Sequence, residues 1–266
     1  MSAAGGVFCP AGSCRVRALA CGESAFLSGV RGCRFRTDML WGLGGAAVCS
    51  SAVAVVDPLG PPGQLALALG MCAMVAGWLA LREEALVRVQ VLAVVLITSG
   101  VEVAATRWLG LWDYRLHNLP AYLPALHAVI FLAVLVVTRC LPNRRFLPGC
   151  ALAGVGLWAA WQLLLSERAD TVGVLWFLVL LALCRHRETA TRVPAIVVVT
   201  VPHDIMATGT GMVAYRPHDV TGLMSIAAQP SAIVGGYALI YCLASLMAPP
   251  LLGLWRRYAP RPSAAS

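Results

Sequence analysis

The sequence has no lysine: all twenty of its basic residues are arginine. Charge of either sign is scarce, at 12% of 266 residues against 59% hydrophobic. With a mean hydropathy of +0.78, the chain falls outside the range of soluble domains and inside that of membrane proteins. Basic patches interleaved with aromatics are missing too, so the net charge of +8 does not point to nucleic acid. Arginine clustered between apolar runs orients helices in a bilayer instead. No Cys-x-x-Cys, His-Glu-x-x-His or His-x-x-x-His occurs, which excludes the common zinc and dithiol sites. There is no phosphate-cradling loop and no nucleophile elbow, and Gly209-Thr210-Gly211 is too short for a nucleotide fingerprint. No metal and no cofactor is expected.

Residues 1–38 hold five arginines and four cysteines, Cys9, Cys14, Cys21 and Cys33, but no apolar run long enough for a signal-peptide core. They read as a disordered basic tail, and Met39, just before the first apolar run, is an alternative start. Cys49, Cys72, Cys150 and Cys242 fall within or beside apolar runs, where a thiol behaves as a small hydrophobe.

What the chain does have is eight apolar runs, at 40–56, 64–81, 89–106, 120–138, 148–165, 171–184, 193–213 and 228–248. A helix needs about 20 residues to cross a bilayer, so the expected class is an all-α polytopic protein of about eight transmembrane helices. Arginine fixes the orientation. With the N-terminus inside, the inner segments hold Arg82, Arg88, Arg139, Arg144, Arg145, Arg185, Arg187, Arg192, Arg256, Arg257 and Arg261, while the outer ones hold only Arg107, Arg115, Arg168 and Arg216. Both termini are therefore expected in the cytoplasm, and the protein in the plasma membrane.

The third and seventh runs end in related segments, Glu102 to His127 and Asp204 to His218. They share acid-x-x-x-Thr and then Gly-x-x-x-Tyr-Arg-x-His: Thr106 and Thr208, Gly110 and Gly211, Tyr114 and Tyr215, Arg115 and Arg216, His117 and His218. Both copies fall at the same side of the membrane under this topology. The expected architecture is a parallel duplication of two four-helix halves, 39–140 and 141–258, followed by a short cytoplasmic tail at 259–266.

Glu102 lies about 21 Å along its helix from Arg88, at 1.5 Å per residue. A carboxylate at that depth is costly unless it is paired, protonated or facing a watery cavity. Arg107, Arg115 and Arg216 are the candidate partners for Glu102 and Asp204, since an arginine forks onto a carboxylate. Four of the five histidines, His117, His127, His203 and His218, fall in the same two regions. His127 follows Pro120 and Pro124 and is expected to point inward, whereas Gln229, Pro230 and Ser231 hold the equivalent entry to the eighth run. The glycines of Gly235-Gly236 and Ala153-Gly154-Val155-Gly156 read as close helix packing.

Three functions fit such a site. An intramembrane enzyme would use Glu102, Asp204, His127 and His203 as acid-base groups, with a carboxyl pKa lifted by its apolar surroundings. Tyr114, Arg115, His117, Tyr215, Arg216 and His218 would then shape the substrate's pocket, open to the outer leaflet. A transporter of protons or a small solute would need a polar path through the inner half, where the sequence offers few polar residues. A structural or assembly subunit, with a membrane-protein partner, would show both acids fully paired and no cavity.

The order Glu102, Gly110, Tyr114, Pro120, Pro124 resembles the integral-membrane carotenoid-hydratase family, whose members add water to a terminal double bond of a long isoprenoid. The resemblance covers residues 102–127. It implies acid-type catalysis on a lipid-soluble alkene, and a membrane lipid or isoprenoid as the binding partner. His127 stands where that family has an aromatic residue, and the Arg-x-His after each tyrosine lies outside its pattern.

Overall fold

A computed structural model describes residues 35–141 and 145–258. The cysteine-rich segment at 1–34 and the tail at 259–266 lie outside the described residues. Among the described residues the chain forms eight α-helices: α1 (Phe35–Val56), α2 (Pro61–Arg82), α3 (Ala85–Val103), α4 (Leu123–Cys140), α5 (Phe146–Leu164), α6 (Thr171–Leu183), α7 (Arg187–Gly209) and α8 (Ile233–Tyr258). Two short strands, β1 (Trp112–Tyr114) and β2 (Val213–Tyr215), follow α3 and α7.

Six helices are long and apolar enough to cross a membrane, the architecture of a multi-pass membrane protein. The two others fall short for different reasons. α6 is apolar throughout but has only 13 residues, a rise of about 20 Å. α7 has the length but carries Arg192, His203, Asp204 and two internal prolines, Pro194 and Pro202.

The helix ends correct the expected spans in three places. α1 begins at Phe35, ahead of Met39, so residues 35–38 are helical rather than tail. α7 begins at Arg187, which draws Arg192 out of the expected loop and into the bundle. There it is buried, ion-paired with Glu188 and donating to Ser245 Oγ at 2.9 Å. α8 starts five residues later than the apolar run and continues through Pro249-Pro250 to Tyr258.

α4 is the hub. It packs against α1, α2, α3 and α7, and 78% of its span is buried, against 39% for the next most buried of the six spans. Leu126, Ile130, Val134 and Val137 fill its faces. α8 is the second centre and packs against α3, α6 and α7. Leucines such as Leu81, Leu92, Leu157 and Leu164 point away from the bundle. Lipid tails are as apolar as leucine, so close packing and polar contacts hold such helices together. Glycine provides the closest approach: a Cβ on Gly235 would stand 2.4 Å from the Trp176 carbonyl oxygen, where α8 crosses α6. Its neighbour Gly236 would meet nothing within 4 Å, so only the first of the pair is a packing glycine.

The loops at one end form a cap. β1 and β2 pair antiparallel, Trp112 with Tyr215, Asp113 with Ala214 and Tyr114 with Val213. Asp113 and Ala214 each precede the tyrosine of their copy, so the register is two-fold symmetric about that pair. The flanking bonds follow suit: Arg115 N–H donates to Met212 O and Arg216 N–H to Leu111 O, both at 3.0 Å. Gly110 and Gly211 enter the strands at φ +55° and +70°, a left-handed backbone that glycine adopts without steric cost. One residue breaks the match, since Tyr114 is twelve positions after its acid and Tyr215 eleven. The extra residue is absorbed where α3 widens into a π-type turn over Ala104–Trp108, the geometry that accommodates a single insertion.

Two buried carboxylates anchor the same end. Asp57 accepts from Gln64 Nε2 (2.8 Å) and Tyr122 OH (3.1 Å), tying the α1–α2 connection to the entry of α4. Asp170 accepts from the backbone of Gly173 (3.0 Å) and from Ser231 N–H (2.8 Å) and Oγ (3.0 Å), tying the α5–α6 connection to the entry of α8.

Replacing Gly235 by Ala forces α6 and α8 apart and is expected to lower stability by about 1–3 kcal/mol, the usual cost of overpacking. Gly236→Ala, facing open space, is expected to be neutral. Thermal unfolding of the two variants in detergent, side by side, checks the difference.

Candidate functional site

Beneath the cap, α3 and α7 each present one carboxylate to a shared cavity of about 360 Å³. Glu102, His127, His203, Asp204, Tyr114 and Tyr215 all line it, and the rest of the wall is mainly aliphatic and aromatic. Glu102 and Asp204 are buried. Each holds the threonine one turn on through its own backbone, Thr106 Oγ1 to Glu102 O at 2.7 Å and Thr208 Oγ1 to Asp204 O at 2.9 Å.

The cap tyrosines reach back to the acids of their own copies. Tyr114 OH donates to Glu102 Oε2 at 2.6 Å, and Tyr215 OH to Asp204 Oδ1 at 2.9 Å. Burial first, and then the neighbouring carboxylate, push both phenols well above the ordinary tyrosine value. They therefore stay protonated and serve as donors. This is the physical use of the Tyr placed after each glycine: a pair of strands across the helix ends aims it inward at the acid.

From there the surroundings of the two acids differ. Glu102 accepts two further contacts, Trp112 Nε1 at 3.2 Å on Oε2 and His127 Nε2 at 3.0 Å on Oε1. His127 Nδ1 faces Tyr237 OH at 3.3 Å, so the carboxylate, imidazole and phenol form one chain across α3, α4 and α8. Asp204 has Tyr215 on one oxygen, while its Oδ2 is buried without a hydrogen-bond partner. His203 lines the cavity but binds sideways, its Nδ1 2.8 Å from Ser50 Oγ on α1.

The expected arginine partners are not at the carboxylates. Arg115 donates to the Thr210 carbonyl, and Arg216 forks onto Asp113 through Nε (2.8 Å) and Nη2 (2.9 Å) on the exposed face of the cap. Neither these two nor Arg107 lines the cavity. A guanidinium beside water keeps its hydration, and phenol, indole and imidazole satisfy a buried carboxylate without burying a second charge. His117 sits in the turn after β1 at φ +54°, and His218 bridges to Ser225; both are part of the cap's outer framework. The structure thus brings together Glu102, Asp204, His127, His203, Tyr114 and Tyr215, and leaves Arg115, Arg216, His117 and His218 outside the cavity wall.

Trp112, Tyr237 and Gly236 also belong to the site, and the motif spacing does not mark them. Tyr237 has one signal in the sequence: it stands seven residues after Pro230, as His127 stands seven after Pro120. The two occupy the same place on α4 and α8 and meet across the interface, with ring centroids 5.8 Å apart. Among the described residues, no cluster of three or more His, Cys, Asp or Glu is arranged to hold a metal ion. Comparison of the chain with protein-family models, with curated proteins and with solved structures finds no match.

The Asp113–Arg216 pair gives the cap a pH dependence whose sign is fixed. The Arg216 hydrogen bond lowers the Asp113 pKa, so its contribution is full above the ordinary aspartate value of about 3.9 and is lost as pH falls through the lower folded value. Both partners are partly exposed to water, so the effect is small. Melting temperature is expected to be insensitive to this pair from neutrality down to about pH 5 and to drop below about pH 4. In Asp113→Asn that acid-side drop should shrink, as a pH series of melting curves would read.

Proposed function

We propose that the chain is an intramembrane enzyme of lipid or isoprenoid metabolism that works by acid–base chemistry in this cavity. One observation carries the reading: two buried carboxylates of unlike surroundings face one largely apolar cavity, which a purely structural pair of acids does not need. The volume lies in the range of small-molecule sites. An apolar wall selects a hydrocarbon, and the similarity of residues 102–127 to the carotenoid hydratases supports an alkene as the reacting group.

The roles follow from the hydrogen bonds. Asp204, with one oxygen on Tyr215 and Oδ2 buried without a partner, is the acid: its carboxyl, turned towards the cavity, donates a proton to an alkene carbon. That step leaves the Asp204 carboxylate and a carbocation. Glu102, held by Tyr114, Trp112 and His127, is preorganised as the opposing negative charge, the arrangement that stabilises a developing cation at little reorganisation cost. A water adding to the cation gives its proton to the Glu102–His127 pair. Return of that proton to Asp204 resets the site.

The membrane setting is part of the same proposal. Eight spans, with the short α6 and the more polar α7 also crossing and both termini cytoplasmic, are supported by the arginine distribution. That orientation puts the cap at the outer side, and a plasma-membrane location is part of the proposal. Duplication of two four-helix halves is supported by the two-fold strand register, the paired glycines and the matched Asp57 and Asp170 anchors.

The test is to purify the protein in mild detergent and take mass spectra of the co-extracted lipids, comparing it with Glu102→Gln/Asp204→Asn. A specific lipid or isoprenoid that is present in one and altered or absent in the other is the expected result. If both carry only bulk phospholipid and the variant is merely less stable, the acids are structural and the enzyme reading falls.

A second reading, proton transport, is favoured by the opposite end of the bundle, which is more polar than the apolar runs suggest. Tyr241, one turn from Tyr237, meets Gln90, Thr138 and Arg192 around a small cavity of about 10 Å³. Gln90 Oε1 and Tyr241 OH are buried there without partners. In liposomes enclosing a pH-sensitive dye, a transporter would dissipate an imposed gradient and Tyr241→Phe would slow it. The enzyme reading expects wild type and variant alike to match protein-free vesicles.

A further inference from the structure

We infer that the cavity opens sideways into the bilayer, through a slot along α8 between α3 and α6, and that one end of a membrane-dissolved hydrocarbon chain enters there. The inference rests on the enzyme reading for what happens at the carboxylates, and on geometry alone for the route.

The cap closes the end of the cavity. Tyr114, Met212, Val213 and Ile226 are all buried there, and the charged Asp113–Arg216 pair lies on the cap's far side. The wall that reaches the surface is elsewhere. Val101 and Leu109 on the α3 side and Leu243 on α8 line the cavity, yet are 42%, 46% and 38% exposed. Val172 and Trp176 of α6 complete the other lip.

Packing explains why the opening is on this side. The corresponding face of α4, between α2 and α7, is covered by α1, which packs on all three. The fifth helix does not play that part for α8; its extended contacts are with α6 and α7. α8 is left as the floor of an uncovered groove. The groove runs from Ile233 to Leu243, ten residues or about 15 Å along the helix axis, roughly parallel to the lipid tails on either side.

Gly236 is the floor of the slot. A side chain there would meet no atom within 4 Å, and the next residue, Tyr237, contacts His127. A chain lying along α8 therefore passes over Gly236 and brings its end to the two acids. A cavity of about 360 Å³ sits near the low end of small-molecule sites, so a long chain is admitted by its end, with the remainder left among the lipids. The hydrocarbon needs no aqueous path to enter, and none of the slot's lip is charged.

The experiment uses the full chain in phospholipid vesicles with a long-chain alkyl alcohol bearing a diazirine at the end remote from its hydroxyl. After photolysis, peptides are mapped by mass spectrometry. Labelling at the cavity, around Trp176 and Tyr237, is expected beyond that of a plain lipid-facing position such as Leu157 on α5. Gly236→Phe should lower the cavity labelling several-fold and leave the Leu157 label unchanged; the latter is the control for folding and insertion. Gly236→Ala should leave both unchanged. Equal labelling of cavity and Leu157 peptides, or an unchanged ratio in Gly236→Phe, overturns the slot. The double variant Glu102→Gln/Asp204→Asn separates this inference from the enzyme reading, because it should keep the cavity label even if no converted lipid is ever found.

Discussion

A carboxylate inside an apolar helix bundle must be satisfied, and the way Glu102 is satisfied organises this protein. Its three partners come from two further elements: Trp112 and Tyr114 from the cap strand, His127 from the central helix α4. One side chain thus fixes the cap to α3 and α3 to α4. Each contact is made by a group that is neutral or titratable, so no permanent second charge has to be buried. The cap in turn exists because Gly110 and Gly211 turn the chain back across the helix ends and let β1 and β2 pair.

Much of this is legible in the sequence. The apolar runs foretell the helices, and the spacing of acid, glycine and tyrosine locates the cap. That spacing is readable because each residue acts locally. The glycine supplies a left-handed turn, and the tyrosine lies four residues on, at the far end of a three-residue strand. The missing partners are illegible for a physical reason. Arginine is the expected counter-charge, but the strand alternation that sends Tyr114 inward sends Arg115 the other way, and the partner of Arg216 is an exposed acid on the facing strand. The partners of Glu102 also include a histidine 25 residues away on another helix, and that contact depends on helix packing rather than on any local pattern. Asp57 and Asp170 look like ordinary loop residues, because nothing in the sequence marks a loop as tucked beneath its neighbours.

The two motif segments, and the helices that follow them, match in places and part company where the cavity is built. His127 and Tyr237 hold the same place on α4 and α8, as do Phe131 and Tyr241, and each pair is in contact across the interface. Had both positions carried histidine, two imidazoles would face each other between two acids. With tyrosine opposite histidine, the phenol contacts the imidazole's second nitrogen, and the imidazole's first is committed to Glu102 alone. The asymmetry of α4 and α8 therefore gives Glu102 its histidine, and Trp112 on β1, where β2 has Val213, gives it the third partner.

That difference is what separates a site from a structural pairing. Two equivalent, fully paired acids would lock helices together and do nothing more. Here one carboxylate is surrounded by donors, and the other, on the same cavity wall, keeps a buried oxygen without a partner. A bare buried oxygen is costly, and closing the cavity with a larger residue at Gly236, where nothing would clash, would be sterically simple. The fold instead maintains the oxygen, the void and the open groove along α8 together. On the reading proposed above, a ligand that arrives from the lipid and reacts at the acids explains the three together.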